Sequence, residues 1–275
     1  MRLGTTGPAA AAALVLGLTG CVAALGDEVS VLDLETITVG VKYDQPGTGL
    51  RGPDGELTGF DVDVAHYIAA RLGFPADRVE LVGVTSAERE DLLISGEVDI
   101  VVATYSITQA RKAEVTFAGP YYVAQQDLLV REEDTDIDDV HDLAGRRLCQ
   151  GRGSNSARRI TEGLGIELEQ TDAPSYGDCV DALRDGRVDA MSTDNLILAG
   201  FLAQDPDAFR LVNNPFTEEK YGVGLPHGDV RACEAVNKAI SEMYQDGTAA
   251  ELLEEWFGDT GLELVTSVPQ FEGCP

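Results

Sequence analysis

Two periodicities alternate along the chain. "TITVGVKY" (Thr36–Tyr43) is apolar and β-branched, which predicts a strand. The Gly- and Pro-rich "DQPGTGLRGPDGELTG" that follows reads as a loop with "PDG" as a turn. "FDVDVAHYIAARLG" puts Val62, Ala65, Ile68, Ala69 and Leu72 on one helical face, and Gly73 stops it. A strand "VELVGV", a helix "TSAEREDLLISG" with Thr85 or Ser86 as its cap, and a strand "VDIVVA" complete a β-α-β-α-β series. That order predicts an α/β fold with a mostly parallel sheet covered by helices. The series then restarts: strands "QQDLLVR" (Gln125–Arg131), "RRLCQG", "IELEQT" and "VDAMSTD" alternate with helices "DIDDVHDLAG", "SARRITEGLG", "YGDCVDALRDG" and "NLILAGFLAQ". After "KYGVGLP" (Lys220–Pro226) comes a long amphipathic helix with Ala232, Ala235, Val236, Ala239, Ile240 and Met243 on one side. A second helix, "AAELLEEWFG", offers Trp256 and Phe257 as core anchors. "LLISGEVDIVVATY" and "ALRDGRVDAMSTDN" correspond internally; a duplicated lobe and a common helix–Gly–strand junction explain this equally well.

With 275 residues, 44% of them hydrophobic, the chain can bury a sizeable core in one or two domains. Its net charge of −28 argues against a nucleic-acid partner, since phosphate contacts need surplus Lys and Arg. The first residues, "MRLGTTGPAAAAALVLGLTGC", carry one early charge, Arg2, then an apolar run over Ala9–Leu18. This reads as an export signal, too short for a stable transmembrane helix. The ending "LTGC" (Leu18–Cys21) resembles a bacterial lipobox, which implies a signal over 1–20, lipidation at Cys21 and a tether over 21–35. Ordinary secretory cleavage with Cys21 incidental is the alternative. Two acyl chains suffice for stable anchoring. With Cys21 lipidated, Cys149, Cys179, Cys233 and Cys274 remain, an even number suited to an oxidising compartment and open to three pairings. No C-x-x-C occurs, and His66, His141 and His227 are scattered, so neither metal nor cofactor is expected.

Ligands of open α/β sheets sit beyond the carboxyl ends of the strands. The polar residues predicted there are Lys42 and Tyr43, then Ser86, then Thr104, Ser106 and Arg111 within and after "ATYSITQAR". Further along come "GSNS" (Gly153–Ser156), opening a helix whose N–H groups favour an anion, and Asp194. These types suit an α-amino acid. A planar two-pronged donor, Arg111, matches a carboxylate, and Asp194 faces an ammonium. Arg111 as a solvated helix arginine and Asp194 as a plain helix cap are the structural alternatives. The chain has no G-x-S-x-G, P-loop, H-E-x-x-H or Cys–His arrangement, so catalysis is not expected.

"GFDVDVAHYIA" (Gly59–Ala69), "ATYSITQAR" followed by "EVTFAGPYY", and "GRVDAMSTD" together resemble the family-3, polar-amino-acid solute-binding proteins of bacterial ABC importers. The resemblance covers about residues 36–258. "VGVKYDQPGTGLR" and the placement of Cys149 and Cys179 resemble the actinobacterial glutamate-binding lipoproteins in particular. The resemblance implies a type II periplasmic-binding fold of two lobes, about 36–124 plus 222–275 and 125–221. Two strands would cross between them, near Ala124–Asp127 and Glu219–Gly222. The pairs Cys149–Cys179 and Cys233–Cys274 are then favoured, each lying within one lobe. By the same resemblance Arg111 holds the α-carboxylate with Thr104 and Ser106, Asp194 takes the amino group, and Ser154, Asn155 and Ser156 supply the helix N-terminus. Lys42 and Arg89, beside Ser86, would face an acidic side chain. Tyr43 would serve as a lid, with Tyr105 and Tyr176 as wall residues, and Arg51 and Arg152 as further cations. The implied ligand is glutamate, aspartate, glutamine or asparagine, captured by lobe closure. The expected partner is an ABC permease, and the expected state is a lipid-anchored monomer on the outer face of the cytoplasmic membrane. The rival expectations are a dehydratase-like enzyme on this fold and a ligand-sensing ectodomain.

Overall fold

The structure, a computed structural model, describes Met1, Gly4 and residues 29–275. Cys21 and nearly all of the expected signal lie outside the described residues. In chain order the strands are β1 (Ile37–Val41), β2 (Asp44–Gln45), β3 (Gly49–Arg51), β4 (Leu57–Thr58), β5 (Val79–Gly83), β6 (Ile100–Val102), β7 (Thr116–Arg131), β8 (Arg147–Gly151), β9 (Glu169–Ala173), β10 (Ala190–Asp194), β11 (Phe209–Leu211) and β12 (Thr217–Leu225). The helices are α1 (Phe60–Arg71), α2 (Arg89–Ser95), α3 (Gln109–Lys112), α4 (Ser156–Arg158), α5 (Tyr176–Arg184), α6 (Asn195–Gln204), α7 (Val230–Gln245) and α8 (Thr248–Phe257). No helix among the described residues is long and apolar enough to cross a membrane.

The main sheet runs β5-β1-β6-β12-β7-β10-β8-β9, with β11 on β7. β1 pairs parallel with β5 and β6, and β8 pairs parallel with β9 and β10. β7 and β12, antiparallel to each other, join these two parallel sets. Separate apolar clusters cover the two sides. Val39, Ile68, Val236, Ile240 and Phe257 belong to the cluster around the first set; Met191, Leu183, Leu198 and Phe201 belong to one around the second. The carboxyl ends of both parallel sets therefore flank the long antiparallel pair.

Most elements lie where the periodicity put them, and the departures have local causes. β7 starts at Thr116 rather than Gln125. Gly119–Pro120, a chain-breaking signal, is accommodated because the β7–β12 register shifts between Tyr221 and Val223, opposite that dipeptide. α2 starts at Arg89, and neither Thr85 nor Ser86 caps it. Thr85 instead donates to Glu88 through N (2.9 Å) and Oγ1 (2.7 Å). α4 is a single turn that continues as a π-helical turn over Arg159–Gly163. Phe257 is buried, whereas Trp256 is half-buried and donates Nε1 to Asp63 at 2.7 Å. The end of the expected tether is a docked turn: Ser30 Oγ and Val31 N both donate to the Asp229 carboxylate at 2.8 Å, at the start of α7. The disulfides are Cys149–Cys179, tying β8 to α5, and Cys233–Cys274, tying α7 to the C-terminal tail.

Candidate functional site

β6 delivers Thr104 in a left-handed conformation, φ 43°, that non-glycine residues rarely adopt. Two buried acceptors hold it there. Thr104 N donates to Asp61 Oδ2 at 2.7 Å, and its Oγ1 donates to Gln45 Oε1 at 3.1 Å. Asp61 Oδ1 also accepts from Tyr121 Oη at 2.7 Å. Burial pushes the Asp61 carboxyl up to about 7. The next side chain, Tyr105, turns into the apolar interior, and its ring lies beneath two guanidinium groups, Arg89 at 4.3 Å and Arg111 at 5.1 Å from the centroid.

Arg111 sits in α3, whose N-cap is Thr108. Its Nη1 donates to Ser106 O at 2.7 Å, its Nη2 to Gly153 O at 2.9 Å, and its Nε faces Glu90 Oε1 at 3.2 Å. Of five guanidinium donors, one on each terminal nitrogen is left over. Burial and the neighbouring Arg89 push Arg111 down to about 10, so it stays cationic at neutral pH. Arg89, 2% exposed, donates Nε to Ser86 O (3.2 Å) and Nη1 to Ala103 O (2.9 Å). It meets no carboxylate among the described residues, and its Nη2 has no hydrogen-bond acceptor there. Lys42 Nζ donates to Ser86 Oγ at 3.0 Å, and burial pushes it down to about 8.

The opposite wall comes from the second strand set. The loop after β8 turns at Gly153, φ 79°, and presents Ser154, Asn155 and Ser156. Ser154 Oγ accepts from Tyr176 Oη at 2.8 Å and lies 3.0 Å from Ser156 Oγ. Asn155 Nδ2 donates to Glu219 Oε2 at 3.3 Å, and Arg159 Nε holds the other Glu219 oxygen at 2.9 Å. Asp194 ends β10 and occupies the N-cap position of α6, yet its side chain makes no capping bond. The carboxylate is 6% exposed. Burial, reinforced by Glu219, pushes it above the ordinary carboxylate range.

These walls leave a narrow cleft with about 250 Å³ of space between atoms, part of it open to solvent. The expected residues on the lining are Ser86, Arg89, Thr104, Ser106, Arg111, Ser154, Asn155, Ser156, Tyr176 and Asp194. Thr193 and Ile197 also line it and were missed; Thr193 precedes Asp194 on β10 and Ile197 lies in the first turn of α6. Five expected residues are not on the lining. Lys42 stands behind Ser86, and Tyr105 lies under the two arginines. Tyr43 packs beside Gly83, as does the end of Arg51, which is exposed and donates to Gly55 O at 3.3 Å. Arg152 is exposed on the outer side of its turn. The supporting pair Asp61 and Gln45 was also missed as functional: nothing in the sequence marks an acid inside an amphipathic helix as the clamp of a distant strand end.

The two halves touch around the cavity. Besides Arg111 to Gly153 O, Tyr176 N donates to Asp44 Oδ2 at 3.2 Å. A Cβ on Gly153 would lie 2.6 Å from Ala87 N, and one on Gly200 would lie 1.8 Å from Pro46 O.

Residues 37–259 match the family model of bacterial extracellular solute-binding proteins, family 3. The chain belongs to this family. The glutamate-binding protein GluB of Corynebacterium efficiens is 41% identical, with 98% of this chain and 96% of GluB covered. The glutamine-binding protein GlnH of Bacillus subtilis is 34% identical over 85% of each chain. Among solved structures, an ancestral arginine-binding protein bound to glutamine superposes with a TM-score of 0.74 at 32% identity, covering 82% of this chain and 99% of that one. In this family-3 chain the fold is thus the mixed α/β architecture that the alternating pattern predicted, of the periplasmic-binding type that the resemblance implied.

Proposed function

We propose that this solute-binding protein captures an acidic α-amino acid, L-glutamate foremost, and delivers it to an ABC permease. The two halves act as lobes, about 36–124 plus 222–275 and 125–221, hinged on β7 and β12. The free N–H groups of Arg111, with Thr104 and Ser106, take the α-carboxylate. Asp194 takes the α-ammonium from the other lobe. Arg89, with Lys42 behind Ser86, takes the side-chain carboxylate. Ser154, Asn155, Ser156 and Tyr176 close the wall.

The observation that carries this reading is the pairing of charges across one small cavity. A buried arginine, Arg89, and a half-buried one, Arg111, line it with unused donors, and one buried carboxylate without a capping bond lines it too. A glutamate zwitterion offers two anions and one cation, which match them one to one. The relatives named as glutamate- and glutamine-binding proteins support the ligand class, and their being binding proteins supports capture without turnover. Closure must favour the ligand-bound form, since a ligand shifts only an equilibrium whose states it binds unequally. The lipobox-like "LTGC" supports anchoring through Cys21 on the outer face of the cytoplasmic membrane, with the protein acting as a monomer.

Calorimetry of the purified chain against glutamate, glutamine, aspartate and asparagine tests the assignment. Glutamate is expected to bind most tightly, and Arg89→Gln to erase its advantage over glutamine. Equal glutamate affinity in Arg89→Gln and wild type would remove the side-chain role of Arg89.

A further inference from the structure

The family match ends at residue 259, and the chain runs on to Pro275. That tail lies back across the two long antiparallel strands. Val265 N donates to Tyr122 Oη of β7 at 3.5 Å, and Glu272 N donates to Gly119 O of β7 at 3.0 Å. Leu262, Leu264 and Phe271 pack against the first apolar cluster, and Cys274 is bonded to Cys233 of α7. Glu272 is thus fixed on both sides, by a packed ring and by a covalent bridge.

From this position one carboxylate spans two segments of the candidate site. Glu272 Oε2 accepts from Lys112 Nζ at 2.6 Å, and its Oε1 accepts from Lys220 Nζ at 2.9 Å. The chain has only four lysines, so half of them converge on this acid. Together they hold its carboxyl below the ordinary carboxylate range. Among the described residues neither lysine makes another ion pair. Lys112 follows Arg111 in α3, and Lys220 lies on β12. The same two segments also join through the backbone: Ile107 N donates to Lys220 O at 2.8 Å, and Gly222 N donates to Tyr105 O at 2.9 Å. The stretch from Ser106 to Lys112 is therefore pinned to β12 at one end by main-chain bonds and at the other by Glu272.

We infer that Glu272 is a positioning residue for Arg111, the tail bracing α3 against β12 so that the guanidinium fork keeps its place. The inference rests on the assignment of Arg111 to the ligand's α-carboxylate. α3 is four residues long. A single turn does not hold itself in water, so its placement must come from contacts outside it. Glu272 supplies one that a neutral side chain cannot. Without its charge, two ammonium groups drawn to the same point would repel and push α3 away from β12. Partly exposed ion pairs contribute little to overall stability; what this one sets is where Arg111 stands.

The test is Glu272→Gln in the full chain, followed by hydrogen exchange without ligand and by calorimetry with L-glutamate. Exchange over residues 106–112 should quicken, exchange in α5 should stay as in wild type, and glutamate should bind roughly 3- to 5-fold more weakly. Unchanged exchange over 106–112 overturns the brace, because a tail that merely covered the core would leave that stretch as it was. Faster exchange with wild-type affinity overturns the link to Arg111. Lys112→Met removes the same contact from the other side. It should reproduce both changes, and Glu272→Gln combined with Lys112→Met should be no worse than the more affected single variant. Additive losses overturn the pairing. If the wild-type chain binds no amino acid, the role of Arg111 fails while the exchange result still reads the brace, so the two failures are distinct.

Discussion

Arg111 is held on three sides before any ligand enters: by Ser106 O, by Gly153 O and by Glu90. That leaves a preset planar fork, which a lysine cannot reproduce. Arg111→Lys should lose one or more charge-assisted bonds of about 1.5–3 kcal/mol each, roughly 10- to 150-fold in glutamate affinity. Calorimetry that found less than about a 3-fold loss would remove Arg111 as the carboxylate clamp. On the same proposal, two other residues should set the pH profile. Asp194 is pushed up in the free protein, so part of the population binds a proton that an incoming ammonium must displace. Affinity should therefore rise with pH through that midpoint, and protons should be released on binding. Lys42 is pushed down to about 8, so above that pH the cation behind Ser86 is lost and affinity for an anionic side chain should fall. The profile is expected to be bell-shaped for glutamate. Asp194→Asn should flatten its acid limb, and Lys42→Met its alkaline limb. A glutamate affinity constant from pH 5 to 9 contradicts both assignments. At this scale the sequence revealed residue types at strand ends, which is why Arg111 and Asp194 were legible. It did not reveal which cations would face inward: Arg51 and Arg152 share the right loops but point to solvent.

Element boundaries follow local rules wherever one chain segment decides them. α6 matches its predicted span because "NLILAGFLAQ" is apolar on every side and buried accordingly. β7 begins at Thr116, well before the predicted Gln125, and β12 shifts register opposite Gly119–Pro120 to admit that dipeptide into the sheet. The same non-local logic explains Gly200. Within α6 it is a helix weakener, and alanine there should gain up to about 1 kcal/mol in helix propensity. Yet the added Cβ would meet Pro46 O, a rigid backbone atom, at 1.8 Å. Gly200→Ala is thus expected to keep or raise the unfolding midpoint while weakening glutamate binding and leaving the lobes apart in small-angle scattering. Wild-type affinity would mean that the α6–Pro46 contact does not limit closure. The Cys149–Cys179 bridge works at the same scale. It binds the strand leading into Ser154–Ser156 to the helix that starts with Tyr176, so both flanks of one wall share a covalent support. Replacing both cysteines by serine should cost about 3–4 kcal/mol by the loop-entropy relation for a separation of 30 residues, read by urea denaturation.

At the scale of the molecule, a net charge of −28 surrounds a cavity whose lining carries Arg89 and Arg111, with Lys42 just behind. On the proposed reading the long-range field should repel a glutamate anion while the short-range site should attract it, and the two have different reach. Charges beyond about 8 Å are largely screened at physiological ionic strength, so salt weakens the outer field first. The buried donors of the cavity, where water and ions are excluded, keep most of their strength. The association rate for glutamate should therefore rise with salt between low and physiological ionic strength, the reverse of ordinary electrostatic steering toward an oppositely charged protein. Glutamine, with no net charge, should associate at a rate nearly independent of salt. The dissociation rates of both should move little, because they report contacts inside the closed lobes. Stopped-flow measurements using the fluorescence of Trp256, which packs against the first-lobe core, can follow both ligands. A glutamate association rate that falls with added salt would mean that the mouth of the cleft is positive well beyond the cavity. In that case the solvent-facing Arg51 and Arg152 would recruit the ligand before it reaches Arg111.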